Sequence, residues 1–179
     1  MFYLDLFAAL LRIAEIESLE LDAGITYLDN EPLGRARSIP LYREHYRLLT
    51  SRDSPLGDRD QVTWAEVGHI PLCLLTPDMQ NRRIVNLNMA EVGAKASPSV
   101  ESNSTIALIA HVMSGKWSSV VPMKLAEMFT GLGGLVAIPI TEPEAEHLVG
   151  MITARHDPQT PLLAALIDGA ARLGNRLRR

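Results

Sequence analysis

Thiols are nearly missing from this chain of 179 residues, in which Cys73 is the one cysteine. That excludes an intrachain disulfide framework and a zinc site built on several thiolates. Aromatic residues are scarce at 5%, and the formal net charge is only -4. Nothing global therefore steers the chain toward nucleic acid or an acidic membrane. Long apolar runs are missing as well. The N-terminal MFYLDLFAALLRIAEIESLEL is interrupted by Asp5, has no basic stretch before it, and meets Arg12, Glu15 and Glu17 too early for a span or a signal peptide. Leu4, Phe7, Ala8, Leu11 and Ala14 recur at helical spacing, which predicts an amphipathic helix. A reducing, cytoplasmic location is the expectation. Low-complexity stretches and solenoid-type repeats are also lacking.

What is present is the composition of an ordinary folded protein, 47% apolar and 21% charged with 12 Gly and 11 Pro. The length suits one domain or two small lobes sharing a core. Strand-like and helical runs alternate. Ala23 to Leu28, Arg43 to Thr50, Ile70 to Leu75, Ser97 to Glu101, Ser118 to Val121, Leu135 to Ile140 and Leu148 to Ala154 read as strands. Helices are predicted from Val62 to Val67, opened by Thr63, from Thr76-Pro77-Asp78 to near Gly93, from Ser102-Asn103-Ser104 to Gly115, from Met123 to Phe129, and from Pro161 to the end. Such alternation predicts an α/β fold around mostly parallel sheet.

Catalytic patterns are absent. There is no G-x-S-x-G elbow, and His45, His69, His111, His147 and His156 form no H-E-x-x-H arrangement. Cys73 lies inside the run IPLCLL, where a buried, inert thiol is expected. His147 with Glu144 and Glu146 offers metal-ligand types, but a solvated acidic turn is the plainer reading. Gly131, Gly133 and Gly134 follow a helix and precede a strand, the reverse of a dinucleotide-binding order. The basic end Arg172, Arg176, Arg178 and Arg179 suits a helix C-terminus, where cations complement the backbone dipole. No catalytic residue, metal or cofactor is expected.

Two strand-to-helix junctions stand out. Thr76-Pro77-Asp78 and Ser102-Asn103-Ser104-Thr105 each follow a strand and open a helix. In open α/β sheets ligands bind beyond the carboxyl ends of strands, where free N–H groups and the helix dipole favour an anion. Trp117-Ser118-Ser119 would add an aromatic wall with hydroxyl donors. Against this, hydroxyl and amide side chains at helix starts are ordinary caps, and Asp78 and Glu101 already occupy the positive field.

At these same segments the chain resembles the effector-binding domain of LysR-type transcriptional regulators. The matching stretches are ELDAGITYLDNEPLGRARSIPLYREHYRLLTSRDSPL, VTWAEVGHIPLCLLTPDMQNRRIVN, VESNSTIALIAHVMSGKWSSVVP and VGMITARHDPQTPLLAAL, in family order from about Leu10 onward. The resemblance implies two Rossmann-like subdomains with an inter-lobe cleft, as in type 2 periplasmic binding proteins. Subdomain I would hold residues 1–68 and 146–179, and subdomain II residues 69–145. It implies a small, anionic effector held by Thr76, Asp78, Ser102, Asn103, Ser104, Trp117 and Ser118. It also implies a homo-oligomer, a dimer or tetramer in the full regulator, and no membrane partner. DNA would be reached only through a winged helix-turn-helix, which this sequence does not contain. The first strand and helix of subdomain I are not found either, so that subdomain is expected to be N-terminally truncated. Such a gap would leave an unpaired sheet edge, and a stand-alone oligomerisation module without an effector is the competing expectation. An enzyme on the same scaffold ranks last.

Overall fold

A computed structural model describes residues 15–16, 18, 20–29, 32–131, 134–155 and 160–177. The N-terminal amphipathic helix expected from Leu4 to Ala14, together with His156, Gly133, Arg178 and Arg179, lies outside these residues. In chain order the elements are β1 (Ala23–Tyr27), β2 (Arg37–Ser51), β3 (Val62–Thr63), α1 (Trp64–Val67), β4 (Cys73–Leu75), α2 (Gln80–Glu91), β5 (Val100–Ser102), α3 (Thr105–Met113), β6 (Ser119–Pro122), α4 (Met123–Phe129), β7 (Leu135–Thr141), β8 (Glu146–Thr153) and α5 (Pro161–Leu177).

Packing divides the chain into two units, Met1–Glu44 with His147–Arg179, and His45–Glu146. The sequence placed that division after residue 68. Residues 45–68 go with the second unit because of their strand partners. The far half of β2 pairs with β6 and β7, and β3 pairs with β7.

In the first unit β1 lies antiparallel to β8, from Ala23↔Thr153 to Tyr27↔Val149. The Asp29 carboxylate accepts the Leu148 N–H at 2.7 Å and holds the end of that ladder. Ile16 and Ile152 are fully buried, with Leu21, Leu28, Leu33, Ala36 and Ala154 packed around them. Helix α5 starts at a Thr160 hydroxyl that accepts the Leu163 N–H. It buries Leu163 and Gly174. A Cβ on Gly174 would stand 2.7 Å from the Pro40 carbonyl, so the missing side chain is what lets helix and strand backbones approach.

In the second unit β2 runs antiparallel to β6 and β7, while β3–β7 and β4–β5 are parallel. A parallel bridge, Leu72↔Ser118, joins the start of β4 to the residue before β6. The expectation of mostly parallel sheet is thus corrected to a mixed one. Apolar periodicity marks which residues are strand, but the direction of pairing follows from connections that leave no local pattern. Leu49, Cys73, Leu75, Met79, Leu108, Ile109, Val112, Val121, Ala126 and Leu135 form one buried apolar cluster of this unit. Thr63 caps α1 through a capping box with Glu66, and Trp64 is buried with its indole N–H donating to the Pro143 carbonyl at 3.1 Å.

Candidate functional site

The site is built from two three-residue strands. Parallel pairing sets Cys73, Leu74 and Leu75 beside Val100, Glu101 and Ser102, and the Thr76 N–H donates to the Ser102 carbonyl at 3.1 Å. The carboxyl ends of β4 and β5 therefore deliver Thr76 and Ser102–Ser104 side by side. Ser104 is the N-cap of α3, its hydroxyl accepting the Ala107 N–H, while its own N–H donates to the Ser102 hydroxyl at 3.1 Å. Asn103 and Ser104 are exposed and Ser102 is half-buried.

Thr76 differs from the sequence expectation in an informative way. It does not cap α2. That helix begins at Gln80 with Met79 in the N-cap position and no side-chain cap. Because the Thr76 N–H extends the β4–β5 ladder, the chain must turn through Pro77 and Asp78 first, and the Met79 N–H closes that turn on the Thr76 carbonyl at 3.0 Å. The Thr76 hydroxyl is left buried with no hydrogen-bond partner. An unmet buried hydroxyl is uncommon and costly, and this one lies beside the Ser102 carbonyl at the end of β5. Asp78 is exposed in the turn.

Trp117 and Ser118 are not brought to this rim. Ser118 is level with Leu72, at the start of β4. Thr76 lies four residues further along, roughly 13 Å of extended chain. The Ser118 hydroxyl is buried and donates to Thr50 at 2.9 Å, and Thr50 donates on to Ser54 at 3.0 Å. Trp117 packs on the core of the unit and meets the His111 ring edge-on at 5.3 Å. Its bulk covers apolar surface instead of walling the rim.

The sequence did not single out Tyr46, Asn81 or Arg82. Tyr46 pairs with Pro122 at the carboxyl end of β6, and its hydroxyl donates to the Asn81 side chain at 3.0 Å in the first turn of α2. Arg82 is 6% exposed and donates to the Leu75 carbonyl at 2.7 Å and to the Glu101 carboxylate at 2.6 Å. The contacts of Tyr46 with Asn81 and of Arg82 with Glu101 join separate elements, so no local motif announces them.

The Cys73 thiol is not poised as a nucleophile. Cys73 is buried, its thiol pushed up to about 11 by burial, and its sulfur faces the Leu108 and Ser118 carbonyls. Among the described residues no three His, Cys, Asp or Glu side chains converge on a metal position. Glu144 and Glu146 lie 3.8 and 3.6 Å from His45, and His147 lies 3.9 Å from Asp29 with its ring edge-on to Tyr27. A shallow depression of about 300 Å³ between the ends of α1 and α2, where His69 and Lys95 line it, includes none of the candidate residues. Among the described residues no helix is long and apolar enough to cross a membrane.

Comparison with known proteins gives a consistent result. The sequence model of the family described as "LysR substrate binding domain" matches residues 6–173. A probable nitrogen assimilation transcriptional activator of Synechococcus elongatus is 23% identical over 121 residues, 68% of this chain. The chain matches only 39% of the length of that curated relative. The regulatory domain of CcmR from Synechocystis, solved in complex with 2-PG, superposes with a TM-score of 0.83 at 12% identity, over 96% of this chain and 82% of that one. The effector-binding domain of QuiR, solved in complex with shikimate, gives a TM-score of 0.79 at 18% identity, over 96% and 80% of the two chains.

Proposed function

Since the chain belongs to the LysR substrate-binding domain family, with its type 2 periplasmic-binding-protein-like fold, we propose that it senses a small anionic metabolite at the rim formed by Thr76 and Ser102–Ser104. The observation that carries this reading is the buried, unpartnered Thr76 hydroxyl beside the capped start of α3. A ligand carboxylate or phosphate there accepts from Thr76 and lies in the positive field of the helix start. Full charges nearby balance, Arg82 and Arg83 against Asp78 and Glu101, so the helix field and hydroxyl donors decide the preference. In the parent regulator, a dimer or tetramer, effector binding shifts the balance between two states of the assembly and so its hold on DNA. An effector shifts such a balance only by its differential affinity, about 1.4 kcal/mol for a tenfold preference.

Titration calorimetry of the chain against small carboxylic acids and phosphate monoesters, shikimate and 2-PG included, tests this. At least one acid is expected to bind, and Thr76→Val and Ser104→Ala to weaken it about tenfold, the loss of one hydrogen bond to a charged group. Thr76→Val is expected to leave stability unchanged or slightly higher, because it removes an unmet buried hydroxyl. No heat with any acid, or unaltered affinity in both variants, ends the reading.

A further inference from the structure

We propose that Arg82 is a positioning residue for this rim, a clamp that holds the ends of β4 and β5 in register with α2. The inference rests on the effector-rim reading and deepens it by naming what keeps the rim in shape. The guanidinium makes three anchored contacts. Its Nε donates to Asn86 on the same helix at 3.0 Å, and its Nη1 donates both to the Leu75 carbonyl at 2.7 Å and to the Glu101 carboxylate at 2.6 Å. Leu75 directly precedes Thr76, and Glu101 directly precedes Ser102. One rigid, planar group thus fixes both strand ends from which the rim residues project.

The strands themselves are poorly equipped to do this. Each is three residues long and contributes few ladder bonds. A guanidinium that is 6% exposed is costly to bury unless paired and hydrogen-bonded, and here Nη1 is paired with Glu101 while Nε is bonded to Asn86. A lysine offers a point charge without the fork, so it keeps the charge and loses the simultaneous reach to helix and strand. Glu101 is 43% exposed, so its substitution perturbs the clamp from the solvent side.

Native-state amide exchange of the ligand-free chain tests the clamp. Thr76 and Ser104 report it, since their N–H groups bond to the Ser102 carbonyl and hydroxyl, and the β2–β7 ladder serves as reference. Arg82→Met and Glu101→Ala are expected to lower protection at Thr76 and Ser104 at least tenfold more than in the reference ladder, with altered amide chemical shifts at both residues. Glu101→Gln, which keeps an acceptor oxygen but not the charge, is expected to lose less protection than Glu101→Ala, and Arg82→Lys to fall between Arg82→Met and the parent. Should Arg82→Met not fold, Glu101→Ala and Arg82→Lys decide the matter. Loss of protection only in proportion to the reference ladder, or Arg82→Lys matching the parent, overturns the proposal. No ligand enters this assay, so an effector panel that gives no heat defeats the effector reading and leaves the clamp to be judged on exchange alone.

Discussion

Burial holds two weak acids of this protein in their neutral forms. The Cys73 thiol is pushed up to about 11 by its apolar surroundings. The Tyr42 hydroxyl is pushed up to about 12 by burial first, then by the charge of Glu44, whose carboxylate accepts a hydrogen bond from it at 3.1 Å. Both values lie above those of the unfolded chain, where thiol and phenol ionise near 8.5 and 10. The unfolded state therefore binds fewer protons at alkaline pH, and stability falls as pH rises. It is fully present below about pH 8.5 and is lost progressively as pH climbs through 11 and 12. Urea midpoints between pH 7 and 10.5 are expected to decline, and Cys73→Ala with Tyr42→Phe to flatten the decline. A decline equally steep in the double variant shows that other groups govern it. The same burial predicts that iodoacetamide at pH 8 leaves native Cys73 untouched and labels it once urea unfolds the chain. Cys73 was readable from its run of apolar neighbours. Thr76 was readable only as a hydroxyl at a junction, because the bond that removes it from the helix comes from Ser102.

At the scale of elements, two glycines in α5 separate propensity from packing. Gly169 has nothing within 4 Å of where a Cβ would stand, whereas at Gly174 the Pro40 carbonyl lies 2.7 Å away. Exchanging a helical glycine for alanine gains up to about 1 kcal/mol from propensity alone. Overpacking against a backbone atom costs roughly 1–3 kcal/mol. Gly169→Ala is therefore expected to raise the unfolding free energy by about 0.5–1 kcal/mol, and Gly174→Ala to lower it by about 1–2 kcal/mol. Denaturant unfolding checks both, and a stabilised Gly174→Ala shows that α5 shifts freely over β2. Element identity was mostly legible in the chain. The capping residues of α1 and α3 marked their starts, and the Gly-closed turns marked where helices end. β2 was underestimated, since Pro40 interrupts the run from Arg37 to Tyr42, which is strand because β8 supplies a partner.

At the scale of the whole molecule, an effector that binds only the folded chain adds stability by mass action. At one hundred times its dissociation constant the gain is about 2.7 kcal/mol. For a chain of this size that corresponds to a rise in Tm of about 5–10 °C. Thermal unfolding with the tightest acid from calorimetry is expected to show such a rise, reduced in Thr76→Val. A ligand that gives heat but no rise in Tm binds the unfolded chain as well.

The order of elements, the apolar cores and the family of the fold were determined by the sequence alone, because periodicity, caps and an ordered set of short motifs are local properties that survive without coordinates. Pairing direction, the place of residues 45–68, the separation of Trp117 and Ser118 from Thr76, and the Arg82 contacts were decided only by tertiary structure. Each depends on which distant segment lies alongside, and hydrogen bonds such as Thr76 to Ser102 or Ser118 to Thr50 exist only once the strands are stacked. A side chain's type limits the bonds it can make; its neighbours determine which of them it makes.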